Sequence, residues 1–161
     1  MWLPGETFKS VIQHTPLISI DLIVKNEQGE VLLGKRVNAP AKGCWFVPGG
    51  RVRKNETLDD AFIRLVREEL GIESGGTRAD AKFLGVFEHF YDDCVFGDDV
   101  STHYVVIGYE LYLTSNFTQQ LPLKQHLNYQ LFEEEKILKS ENVNQYTKNY
   151  FKISKSESFN E

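Results

Sequence analysis

The first sustained apolar run is Leu17 to Lys25, rich in Ile, Leu and Val and only nine residues long. That length and that abundance of branched side chains predict a strand buried on both faces. Asn26-Glu27-Gln28-Gly29 reads as a turn, and Val31 to Arg36 returns as a second strand. Asn38 to Gly43 carries Pro, Ala and Gly and reads as a loop. Trp45-Phe46-Val47 is a short strand stopped by Pro48-Gly49-Gly50. Lys82 to Tyr91 and His103 to Leu113 read as two long strands joined by an acidic hairpin loop, Asp92 to Ser101.

The clearest helix is Thr57 to Leu70. Leu58, Ala61, Phe62, Leu65, Val66, Glu69 and Leu70 recur at helical spacing, and Gly71 supplies a C-terminal stop. Phe132 to Ser140 and Asn144 to Ile153 are expected as two further helices. No repeat, low-complexity tract or linker interrupts the chain, so residues 1–153 read as a single domain and 154–161 as a polar tail. Strands and helices mixed in this way predict an α/β (α+β) sandwich, with a mixed sheet between helices.

Composition narrows the range of functions. With 161 residues, 41% apolar and 25% charged, the chain suits one core. Its net charge of −5 argues against sequence-independent binding of nucleic acid, which needs a basic surface. Phosphate would have to be met by a metal or by a few converging arginines. Cys44 and Cys94 lack ligand spacing and read as free, buried thiols. The N-terminus lacks the order of a signal peptide, and Leu17 to Val24 is too short to span a bilayer, so a cytoplasmic protein without membrane partners is expected.

The chemistry concentrates in one stretch. Gly50 is followed by five residues, Glu56, seven residues, and then Arg64-Leu65-Val66-Arg67-Glu68-Glu69-Leu70-Gly71-Ile72. A glycine-rich turn thus feeds a helix ending in paired carboxylates. Glu69 shares a face with Leu65, and Glu68 follows Arg64 by one turn. Glu56 precedes the helix, where negative charge suits the macrodipole. Hard divalent ions take oxygen ligands, and Mg²⁺ commonly takes one or two carboxylates plus substrate phosphates. The stretch resembles the Nudix box at every fixed position but one, since Leu65 stands where that pattern has Glu. The alternative is an ordinary amphipathic helix with solvated charges. The resemblance implies a Nudix fold and a Mg²⁺-dependent hydrolase, with Mn²⁺ as the substitute ion. The lost carboxylate implies fewer metal ions and one general base fewer.

A narrower resemblance covers roughly residues 1 to 150. Thr15-Pro16-Leu17, Leu33-Gly34-Lys35-Arg36, Trp45 through Val52, His89-Phe90-Tyr91-Asp92-Asp93, Thr102 through Val106 and Gln125-His126 are similar, in order, to the GDP-mannose mannosyl hydrolases. That family implies hydrolysis of GDP-mannose to GDP and free sugar by attack of water at C1 with inversion. It further implies Gly49, Glu69 and Gln125 as metal ligands. Glu68 stands where a non-ligand is expected in those relatives, which leaves room for an additional metal contact in this chain. His126 would be the general base, a task that suits an imidazole. Asp21 would stabilise charge at C1 or orient the sugar. Arg36, Arg51 and Tyr104 would serve the leaving diphosphate. Trp2, Leu3 and Phe8 would touch the nucleotide across a homodimer interface, and His89 would approach the sugar.

Plainer readings stand beside these. Asp21 in an apolar strand also fits a buried ion pair with an arginine, and Tyr104 fits a core position. Arg53 reads as a loop charge, Trp45 and Phe46 as core, and Asp92, Asp93, Asp98 and Asp99 as solvated. At the level of function, two alternatives remain: a Nudix pyrophosphohydrolase cleaving the P–O–P linkage of a nucleotide sugar or nucleoside triphosphate, and a non-catalytic nucleotide-sugar sensor.

Overall fold

A computed structural model of the chain describes residues 3–73, 76–113 and 126–157. Among these, seven strands form one mixed sheet: β1 (Leu17–Lys25), β2 (Val31–Arg36), β3 (Trp45–Phe46), β4 (Gly49–Arg51), β5 (Lys82–Tyr91), β6 (Thr102–Tyr112) and β7 (His126–Phe132). The order β3-β2-β1-β6-β5 forms the main path, with β4 paired to β1 and β7 to β2. β1 and β6 run parallel, and the other pairings are antiparallel.

The alternation of β1 explains the layering. Ile20, Leu22 and Val24 turn to one face, where helix α2 (Leu58–Leu70) packs through Ala61, Phe62, Leu65, Val66 and Leu70. Ile23 turns to the other face, against Ile137 of α3 (Glu134–Lys139) and Tyr150 and Phe151 of α4 (Gln145–Glu157). A sheet apolar on both faces needs a layer on each side, and the result is the expected sandwich. α2 begins where Thr57 accepts the Asp60 N–H and ends where Gly71 adopts a left-handed φ of 69°.

Several expectations need correction. A helix, α1 (Gly5–His14), precedes β1. Its signal was present in Phe8, Val11 and Ile12, spaced three and four residues apart, which pack with Leu17, Cys94 and Val100. The Gly-Gly stop after Pro48 continues as β4. Phe132 ends a strand rather than starting a helix, because β7 pairs with β2 from Val31↔Phe132 to Arg36↔His126. α4 runs on to Glu157, beyond Ile153. Ile18 is 50% exposed, so β1 is not buried throughout. Cys94 is buried, as expected, but Cys44 is only half-buried; both are free. In the acidic loop Asp92, Asp98 and Asp99 are exposed as expected, Asp99 also pairing with Lys9 of α1 at 2.6 Å, whereas Asp93 is half-buried. No helix among the described residues is long and apolar enough to cross a membrane.

Candidate active site

A cleft of about 360 Å³ opens at the end of the sheet where β1, β4 and β6 meet α1 and the start of β5's hairpin loop. Strand alternation delivers its polar groups. Ser19 and Asp21 of β1 lie on the same face as Ile23, and Asp21 aligns with Gly49 on one side and Gly108 on the other. A Cβ at Gly49 would lie 2.4 Å from the Ile20 carbonyl oxygen and 2.8 Å from Asp21 Oδ1. Only glycine lets β4 run this close to Asp21. Beneath the next residue, a Cβ at Gly50 would lie 2.7 Å from Leu65 Cδ2.

Asp21, Arg36, Gly49, Arg51, His89 and Tyr104 all line this cleft. Phe8 lines it as well, with the Arg51 guanidinium 4.0 Å from the centre of its ring. Leu3 is half-buried ahead of α1 and does not line the cleft. Trp2 and Gln125 lie outside the described residues. His126 begins β7, its backbone opposite Arg36, and its side chain is outside the described set. Trp45 is half-buried and Phe46 buried.

Asp21 is 6% exposed, and its partner is not an arginine. The Tyr150 hydroxyl donates to Asp21 Oδ2 at 2.6 Å. Burial pushes its pKa up to about 7, opposed by the Tyr150 bond and the positive field of Arg36. His89, 4% exposed, has its pKa pushed down to about 4 by burial and by Arg36, so it is neutral at pH 7. Burial raises the Tyr104 and Tyr91 phenols, keeping both protonated as hydrogen-bond donors. Arg36 lies 5.5 Å from the centre of the Phe46 ring and makes the neighbouring field positive. A cleft lined by four arginines, two carboxylates and neutral donors suits an anionic ligand with hydroxyl groups attached.

The Nudix-box carboxylates divide their work. Glu56 takes both Arg64 Nε and, at 2.9 Å, Arg64 Nη2, and it also accepts the Arg53 N–H. Arg64 in turn reaches the Arg51 carbonyl at 2.9 Å and Glu68 at 3.0 Å. This buried fork pins the β4 loop to α2 and holds Glu56 down to about 2. Arg53 is thus no loose loop charge, because it meets Glu68 at 3.3 Å. Glu69 is 2% exposed, and burial followed by the Glu68 charge raises it to about 7.

Among the described residues, no three His, Cys, Asp or Glu side chains converge as a metal cluster. Gly49, Leu65 and Glu68 line the cleft and Glu69 does not, although Glu68 is close enough to act on the Glu69 charge. The Glu69 carboxylate, the Glu68 carboxylate and the Gly49 carbonyl are all oxygen donors. Oxygen donors of this kind fit one hard divalent ion that completes its shell with substrate phosphate and water. A nearby cation would also restore the charged form that burial disfavours at Glu69.

A NUDIX domain profile matches residues 15–152. The chain belongs to the Nudix hydrolase family. It is 44% identical over 111 residues to the low-salt glycan biosynthesis protein Agl8 of Haloferax volcanii, covering 69% of this chain and 68% of that protein. It is 40% identical over 57 residues to the ADP-ribose pyrophosphatase of Methanocaldococcus jannaschii, a match spanning 35% of this chain and about a third (33%) of that relative. Among solved structures, a MutT protein from Methanosarcina mazei Go1 superposes with a TM-score of 0.69 at 25% identity, covering 90% of this chain and 97% of that one.

Three residues of this site carry no signal in the linear pattern. Tyr91 sits beside His89 as an ordinary strand aromatic. Tyr146 and Tyr150 look like the apolar stripe of a helix, which they also are.

Proposed function

We propose that this Nudix hydrolase acts on a nucleotide sugar, GDP-mannose by resemblance, with water attacking C1 of the sugar and the nucleoside diphosphate leaving. The observation that supports this best is Leu65. Where the Nudix box has a carboxylate, an apolar side chain 2% exposed packs beneath Gly50. Attack at phosphorus benefits from clustered divalent ions, which that missing carboxylate would help to hold. Attack at carbon asks instead for a stabilised leaving group and for groups that tolerate an oxocarbenium-like centre.

The cleft offers a residue for each requirement. Arg36 and Arg51 would neutralise the diphosphate, with Tyr104 donating a hydrogen bond. Asp21 would face the carbon that gains positive charge. Neutral His89 would meet a sugar hydroxyl. His126 would take the proton from water, and Gln125 would join Glu69 and the Gly49 carbonyl around Mg²⁺. When bound there, the ion would supply Lewis-acid stabilisation of the departing diphosphate. Phe8, already under Arg51, would stack on the base, with Trp2 and Leu3 nearby in a homodimer. The glycan-biosynthesis name of the Haloferax relative is in keeping with a sugar-bearing substrate.

A second reading is attack at phosphorus, giving GMP and mannose 1-phosphate. The relative named ADP-ribose pyrophosphatase favours it, as does Glu68 at the cleft wall. Hydrolysis of GDP-mannose with MgCl₂ in ¹⁸O-labelled water separates the two. Label in mannose with unlabelled GDP is expected, whereas label in GMP or mannose 1-phosphate would establish the second reading. His126→Gln should lower turnover by orders of magnitude with Mg²⁺ binding retained, and near-full activity would remove His126 from the mechanism.

A further inference from the structure

Asp21 and His89 enter the cleft from different strands, yet one helix touches both. Tyr150 of α4 donates its hydroxyl to Asp21 Oδ2 at 2.6 Å. Tyr146, one turn earlier, stacks on the His89 ring with centroids 4.2 Å apart and planes 21° apart. The Tyr146 hydroxyl also accepts the Phe90 N–H and donates to the Phe90 carbonyl, both at 2.8 Å. That pair of bonds fixes the backbone immediately after His89 on an edge strand whose outward groups would otherwise face solvent. The Tyr150 ring itself lies 6.3 Å from that of His89. Room for Tyr150 comes from Gly108, the β6 neighbour of Asp21: a Cβ there would sit 3.3 Å from Tyr150 Cε1 and 3.0 Å from Phe87 Cε2.

We propose that Tyr146 and Tyr150 are positioning residues through which α4 sets the geometry of Asp21 and His89 at the sugar end of the cleft, with Gly108 as the seat that admits Tyr150. The inference rests on the nucleotide-sugar reading for the identity of what Asp21 and His89 meet. Residues this buried have rotamers fixed by their neighbours, and a small displacement of a reacting group is costly in rate. The contacts that carry α4's influence are polar bonds and a stacked ring, so they can be removed without emptying the core.

Tyr150→Phe and Tyr146→Phe retain both rings and lose only the hydroxyls. Gly108→Ala leaves both tyrosines in the sequence and crowds Tyr150. Each variant is assayed with GDP-mannose, and its affinity for GDP is measured by calorimetry. A 10- to 100-fold fall in kcat/KM for Tyr150→Phe and Gly108→Ala, mostly in kcat, with GDP affinity within twofold of wild type, is expected. Unchanged kcat/KM, or an equal loss of GDP affinity, would overturn the assignment. If the wild type fails to release mannose, the functional reading fails and the positioning role is judged by NMR. Tyr146→Phe must then shift the His89 ring resonances and speed Phe90 amide exchange at least tenfold, and unaltered spectra would overturn the proposal.

Discussion

The Leu65 side chain packs against Gly50 so closely that a Cβ on that glycine would lie 2.7 Å from Leu65 Cδ2. The departure from the Nudix box and the glycine before it therefore form one packing unit. Gly50→Ala should cost about 1–3 kcal/mol, the usual scale of overpacking. Leu65→Ala should cost about 2–5 kcal/mol as a cavity. Together they should cost clearly less than their sum, because the added methyl fills part of the space vacated. Urea unfolding of the two single variants and the double variant measures that coupling. Strict additivity would mean that the contact carries no energy.

Leu65→Glu asks what the box gains from its usual carboxylate. Placed 2% exposed, the new charge should destabilise the metal-free protein by on the order of 3 kcal/mol. MgCl₂ should then raise the melting temperature of the variant more than that of the wild type, since a cation would repay part of the burial. Equal shifts in both proteins would show that residue 65 lies out of reach of the ion.

Such local relations mark what was legible in the chain. α2, with its Gly71 stop, is written in periodicity, and so are β1, β2, β5 and β6. β4 is not, because Gly-Gly-Arg becomes a strand only through its pairing with Ser19 to Asp21. β7 is not, because its partner β2 lies far away in sequence, and the Glu-rich stretch after Phe132 extends a helix signal backwards. Among site residues, Asp21 stood out as a carboxylate in an apolar run. Its partner Tyr150 did not, since 129 positions separate them and a tyrosine at helical spacing is indistinguishable from core. Sequence spacing displays the groups that break a pattern and conceals those that complete it.

Glu56 and Arg64 set an acid limit. The folded-state pKa of Glu56 is about 2, below its ordinary 4.5, chiefly through Arg64. A depressed carboxylate contributes stability that is fully present above pH 4.5 and is lost as pH falls toward 2. Glu56→Gln should thus be less stable than wild type at pH 7 but converge with it near pH 2–3. Denaturant midpoints across that range test this, and a constant gap would assign Glu56's contribution to packing alone.

Glu69 sets the opposite slope in the absence of metal. Its carboxyl, raised to about 7 by burial and Glu68, holds a proton that the unfolded chain gives up near pH 4.5. Stability should therefore decline as pH rises from 4.5 to 7 in EDTA. Mg²⁺ should stabilise more at pH 8 than at pH 5, because binding requires the ionised form. Glu69→Gln should reduce the EDTA slope, leaving the part that Asp21 contributes, and abolish the Mg²⁺ response. A persisting Mg²⁺ response in that variant would place the ion elsewhere.

Asp21 offers a trade between stability and function. Raised to about 7 against an ordinary 3.8, it too contributes stability below pH 3.8 that disappears as pH climbs through 7. Asp21→Asn removes the buried charge yet keeps an amide oxygen that can accept the Tyr150 hydroxyl. The variant should be more stable than wild type at pH 8 and nearly equal at pH 4. Its turnover of GDP-mannose should fall at least 100-fold, because a neutral amide cannot balance positive charge developing at C1. Melting curves at both pH values, run beside the hydrolysis assay, test the two halves separately. An Asn variant that is active and stable would make Asp21 a structural residue. One that is inactive and less stable at pH 8 would mean that the carboxylate is anchored by Arg36 more strongly than burial opposes it. Inactive but more stable is the result expected of a carboxylate kept in an apolar strand at a cost to stability for the sake of the reaction.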